Sequence, residues 1–213
     1  MTSGIVRSGL VAIMMAGSAL LANAPAAAGT AAEAEPVAAV APATFVAPDF
    51  AVPTLVETEH FKIVPLGPDL VEVDFAAYMS SIEHLQATFT RSTNWPHEGI
   101  TDADAMRDME TEQARFANRE SFAYAVLTPD GSRERGCIYV YPSTIDGYDA
   151  VVTLWVTKAE YDAGFDAELY QWATEWVQTD WPFAHVAYPG RAIEWDRWDA
   201  LVAANDSQDA ALQ

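Results

Sequence analysis

The sequence predicts an α+β fold, a central and mostly antiparallel sheet flanked by helices. Three strand-like segments lie between residues 122 and 157 with tight turns between them, the pattern of an antiparallel meander. Behind them Phe165, Leu169, Trp172, Ala173, Trp176 and Val177 fall at i, i+4, i+7, i+8, i+11 and i+12, one face of a helix. The order along the chain is one strand, two helices, three antiparallel strands, a helix and a last strand.

The N-terminus reads as an export signal over residues 1–28. Arg7 supplies the positive end, Leu10 to Leu21 is an apolar run, and small residues follow at Ala26-Ala27-Ala28. The mature protein is therefore expected in the periplasm or secreted, by the general secretory route, without stable membrane insertion after cleavage. Residues 29–56 are rich in Ala, Val and Pro, with Pro36, Pro42, Pro48 and Pro53. Regular Pro blocks helix and the scarcity of large side chains limits a core, so a disordered linker is expected.

The folded domain is expected over 57–203, with a polar tail over 204–213. His60 to Leu66 reads as a strand closed by Gly67-Pro68. Val73, Tyr78, Ile82, Leu85 and Phe89 mark an interrupted helical region, and Thr101 or Asp102 caps a second helix ending near Asn118. Phe122, Tyr124 and Val126 alternate before the turn at Pro129-Asp130-Gly131. Cys137, Tyr139 and Tyr141 alternate before Pro142, and Tyr148 to Thr157 is the β-branched third strand of the group. After the helix that follows Gly164, a short strand is expected at Phe183 to Ala187 and a short helix at Ile193 to Ala203.

Composition narrows the function. Asp and Glu number 31 against 11 Lys and Arg, a formal charge of −20, which repels nucleic acid and anionic membranes. All seven Trp lie at or after residue 95, placing the core in the C-terminal two thirds. Cys137 is the single cysteine, so no intrachain disulfide exists. Its alternating apolar setting reads as a buried, inert thiol. No spacing suggests a metal site, a Ser-His-Asp triad or a P-loop.

The junction from Val151 to Val177 carries the chemistry. A strand ends at Thr157, a turn passes through Gly164, and a helix restarts at Phe165; a helix start presents bare N–H groups to an anion. Four further runs accompany it in order: Phe61 to Pro68 (FKIVPLGP), Ser81 to His84 (SIEH), Gly136 to Ser143 (GCIYVYPS) and Trp181 to Phe183 (WPF). With these runs the chain resembles a bacterial group within the GNAT superfamily of N-acetyltransferases, over roughly residues 59–203.

That resemblance implies a GNAT-like fold and transfer of an acyl group from acetyl-CoA to an amine, small or on a protein. It places the cosubstrate on Leu154, Trp155, Val156 and Thr157, with Gly164, Phe165 and Asp166 at the pyrophosphate turn. The family's turn is Q/R-x-x-G-x-G/A; here Tyr161 stands at the first position and Asp166 at the last. A carboxylate in the first helical turn favours the helix dipole and opposes a bound pyrophosphate. Lys158 is the cation nearby in sequence. Glu83 is the candidate base, Tyr188 the candidate acid, and His84, Tyr139 and Tyr141 the candidate acceptor contacts. The alternative is a catalytically degenerate GNAT-fold binding protein of the cell envelope.

Overall fold

The computed structural model describes residues 45–211. The expected export segment and residues 29–44 of the expected linker lie outside the described residues. Six strands form one sheet in chain order: β1 (Val56–Glu57), β2 (Lys62–Pro65), β3 (Phe122–Leu127), β4 (Glu134–Pro142), β5 (Ala150–Val156) and β6 (Val186–Ala187). Neighbours are antiparallel up to β5, and β5–β6 is parallel. A parallel pair needs a long crossover. It is made here by α4 (Lys158–Asp162) and α5 (Phe165–Asp180).

Side chains alternate across the strands and so build two cores. Ile138, Val140, Val152, Leu154 and Val156 cluster with Phe165, Leu169, Ala173, Trp176 and Val177 of α5. The intervening positions, Cys137 and Trp155 among them, cluster with Ala77, Tyr78, Leu85 and Met109. Those residues belong to α1 (Val71–Met79), α2 (Ile82–Leu85, continued by a π-helical turn to Thr90) and α3 (Asp102–Ala117). Thr101 caps α3 as its sequence indicates: its hydroxyl accepts from the Asp104 N–H at 3.2 Å, while its own N–H donates to the Asp104 carboxylate at 3.1 Å. At Gly136 a Cβ would stand 2.0 Å from the Trp155 carbonyl oxygen, so only glycine lets β4 approach β5 there.

The expected boundaries change at both ends. The linker gives way to packed chain by residue 45. Phe45 stacks on Phe122 and Phe183 at 5.8 and 5.0 Å, Val46 is buried, and Phe50 meets Trp181 at 5.6 Å. Arg119 donates to the Ala47 and Phe50 carbonyls at 2.7 and 2.9 Å, and the Tyr124 hydroxyl donates to Pro53 at 2.9 Å. Two Phe side chains thus dock a segment whose prolines do bar helix. At the other end α6 (Trp195–Ala211) runs through most of the expected tail, since neither Pro nor Gly follows Gly190 to stop it. β6 is shorter than its apolar run because the Asp149 carboxylate takes the N–H groups of Ala184 and His185, both at 2.8 Å. Among the described residues no helix is long and apolar enough to cross a membrane.

Candidate functional site

β6 pairs with only Ala150 and Val151 of β5. Beyond them the two strands part, and the β5 edge at Leu154, Trp155 and Val156 faces a cleft of about 270 Å³ that His84, Tyr161, Asp166, Arg191 and Trp195 also line. A void of about 20 Å³, room for roughly one water, continues it toward Tyr188. An unpaired strand edge offers backbone donors and acceptors to an extended ligand.

The end of β5 differs from the expected open turn. Residues 158–162 form the short helix α4, capped by the Thr157 hydroxyl, which accepts from the Glu160 N–H at 3.3 Å. The Lys158 N–H is taken by the Ser81 hydroxyl at 2.9 Å. These donors are already satisfied. The start of α5 is different: Gly164 sits at φ 85°, a conformation glycine adopts freely, and no side chain caps the helix. The Phe165 ring is core, edge-on to Phe61 at 5.5 Å, so only its backbone can face the cleft.

Asp166 is the expected obstacle to an anion there, and the structure corrects its setting. Arg191 grips it in a two-pronged pair at 2.5 and 2.6 Å, both side chains half-buried. Lys158 is not the local counter-charge; it pairs with Asp162. The Pro189-Gly190 turn, with Gly190 at φ 72°, returns the chain so that a residue 25 positions later meets the helix start. Sequence reasoning missed Arg191 because nothing local marks it.

The candidate base pair splits. The His84 imidazole lies in the cleft, 4.9 Å from the Tyr161 ring. Burial, then the Lys158 charge, pull it below the ordinary histidine value, against smaller opposing effects of Asp166 and Asp162. Glu83 is exposed and lines a broad outer groove with His97, Glu98 and Lys158. Tyr188 borders the cleft's inner void, but it is buried and its hydroxyl bonds Thr174; burial pushes its pKa up to about 12. The raised pKa makes this phenol a weaker proton donor than an exposed tyrosine. Tyr139 and Tyr141 stack on each other at 5.8 Å; Tyr139 packs in the cluster of Tyr78, Leu85 and Trp155 and its hydroxyl accepts from the Trp155 indole at 3.3 Å, and neither lines the cleft with His84.

Sequence distance also hid a buried cluster. Asp74, Glu134 and Cys137 place ligand atoms within 4.8 Å of one another, the one such grouping among the described residues. The Cys137 thiol donates to Glu134 at 2.9 Å. Burial raises Asp74 to about 7 and Glu134 well above the carboxylate range, so the pair shares a proton. Those three groups are also the ones that could hold a metal ion.

The six-stranded, mostly antiparallel sheet with helices packed on it is the α+β architecture that the sequence predicts. No protein-family model matches the sequence, and no curated protein matches it. Solved structures similar to the chain include two acetyltransferases. The ribosomal-protein-S5-alanine acetyltransferase of Vibrio fischeri is 15% identical, with a TM-score of 0.48 over 72% of this chain and 82% of that one. The microcin C7 self-immunity acetyltransferase, solved with acetyl-CoA and AMP, is 12% identical, with a TM-score of 0.38 over 51% of this chain and 57% of that one.

Proposed function

We propose that the cleft between β5 and β6 binds acyl-CoA and that the protein transfers the acyl group to an amine. One observation carries the reading: β5 loses its partner at Val152 and its bare edge runs toward the uncapped start of α5. Pantetheine would pair along that edge, and the pyrophosphate would meet the α5 N–H groups, with Arg191 as its cation. The backbone N–H of Trp155 or Val156 would polarise the thioester carbonyl. His84, neutral at pH 7 and in the cleft, takes over the role first assigned to Glu83 and removes the proton from the incoming ammonium. The amine then attacks the thioester carbon, the C–S bond breaks, and the thiolate leaves without needing Tyr188.

The Asp166–Arg191 pair favours a second reading, a binding protein with this fold and no transfer. With Arg191 held by Asp166, a pyrophosphate must break a two-pronged ion pair to recruit it. Thiol release from acetyl-CoA, measured over a panel of amines, separates the two. Amine-dependent release that His84→Ala abolishes supports transfer. No release with any amine, alongside measurable coenzyme A binding, supports the binding protein.

A further inference from the structure

α6 supplies one wall of the β5 cleft through its first residue, and it is held there lightly. Trp195 lines both the cleft and the small void behind it. Among the described side chains of α6, residues 195–207, none is buried, whereas α5 buries Phe165, Leu169, Ala173, Trp176 and Val177. Trp198 adds an edge contact to Tyr148, ring centres 6.3 Å apart. The firmest tie is Arg91. Its guanidinium stands over the Trp195 ring, 4.2 Å from the centre, and forks onto Asp199 at 3.0 and 2.7 Å. Trp195 and Asp199 are four residues apart, so one arginine grips one face of the helix.

Arg91 belongs to the opposite wall. It follows the π-helical turn Gln86–Thr90, whose Ala87 and Thr88 line the cleft beside His84. Its φ of 51° is left-handed, unfavourable for a residue with a Cβ. The Thr90 hydroxyl fixes this loop by donating to the Ser92 and Trp95 carbonyls at 3.0 and 2.8 Å. The arginine is therefore set on a firm base, and the helix that it grips has little else to hold it. An ion pair whose side chains are 38% and 51% exposed is weak, and so is an exposed cation–π contact. The cleft also has reason to open. Its 270 Å³ falls below the ~300–1,000 Å³ usual for drug-sized ligands, and an acyl-CoA is larger than those.

We propose that α6 is a lid on the β5 cleft, latched by Arg91 through Trp195 and Asp199 and hinged at Glu194. The hinge follows from what stays anchored: Ile193 is buried and its N–H donates to the Tyr188 carbonyl at 3.2 Å, whereas Glu194 is exposed. Arg191 lies before the hinge and keeps its place beside Asp166 when the lid moves. Latched, the Trp195 ring walls the inner void down to room for about one water; unlatched, that end of the cleft opens. As a gate for acyl-CoA the lid rests on the acyl-transfer reading; as a hinged helix it stands without it.

Amide hydrogen exchange on the full-length protein, on Arg91→Gly and on Asp199→Asn tests the lid. Glycine suits the left-handed position, so Arg91→Gly removes the latch without straining the loop. A helix of this length is marginal in water once detached, so opening registers as exchange. Amides of residues 199–203 should exchange faster than those of α5 in the wild type. Each variant should speed them by a further factor of about five, with α5 unchanged. No acceleration in either variant, or equal acceleration of α5, overturns the proposal. Stopped-flow mixing of the same three proteins with coenzyme A then reads the gate. Faster association in both variants supports it, and equal rates in all three overturn it. No coenzyme A binding by any of them, with the α6 acceleration present, sinks the acyl-CoA reading and leaves the lid.

Discussion

His84 owes its place to a short sequence and its chemistry to its surroundings. The helical region Ser81 to Leu85 turns Glu83 outward and His84 inward, so two adjacent candidates receive different environments. Burial disfavours the charged imidazole, and the Lys158 ammonium adds to that. If His84 is the base, kcat/KM for the amine falls as pH drops through a value below 6.5, and His84→Gln removes that limb. The Asp74–Glu134 pair makes a different pH claim. Both carboxyls are raised in the folded state above their unfolded values, Asp74 from 3.8 to about 7, so the fold binds protons more tightly than the unfolded chain. Their contribution to stability is thus complete below 3.8 and is lost as pH rises through about 7. Urea unfolding at pH 5 and pH 8 should find this loss, on the order of a few kcal/mol, and Glu134→Gln should shrink it. An unchanged pH dependence in the variant would remove the shared-proton assignment.

Elements were read from the sequence where periodicity was strong. α3 with its Thr101 cap, the three central strands and α5 fall where their patterns place them, because each buries one face against a neighbour. Failures came where a partner far away decides the outcome. β1 and the packed residues 45–55 lie in a Pro-rich stretch whose ordering depends on Phe122, Trp181 and Arg119. The Lys158 to Asp162 helix was read as a turn because its caps come from Thr157 and, across the fold, from Ser81. The residues of the cleft were partly legible: the β5 and Gly164 positions were expected, whereas Arg191 and Trp195 arrive by tertiary folding. At this scale α5 is the element that closes one core. Leu169 is fully buried in it, and Leu169→Ala should cost roughly 2–5 kcal/mol, read as a lower denaturation midpoint at an unchanged slope. A cost below about 0.5 kcal/mol, typical of surface substitutions, would mean that α5 does not pack as described.

For the whole molecule the governing quantity is charge. A net −20 surrounds a cleft proposed to take a polyanion, so approach is opposed at long range while Arg191 attracts at contact. Raising ionic strength from about 0.01 to 0.15 M shortens the screening length from about 30 to 8 Å. Coenzyme A association should therefore speed up with salt, the reverse of a basic binding site; stopped-flow rates that fall with salt would show the local cation to dominate.

Calorimetric titration of coenzyme A into the wild type and Asp166→Asn tests the central claim most directly. If the β5 edge and the α5 start form an acyl-CoA cleft, both proteins bind one equivalent. The variant then binds more tightly, since Arg191 is freed and a carboxylate facing the pyrophosphate is gone. No binding by either protein at millimolar coenzyme A, with both folded, would contradict the claim and leave an α+β fold that does not use that cleft.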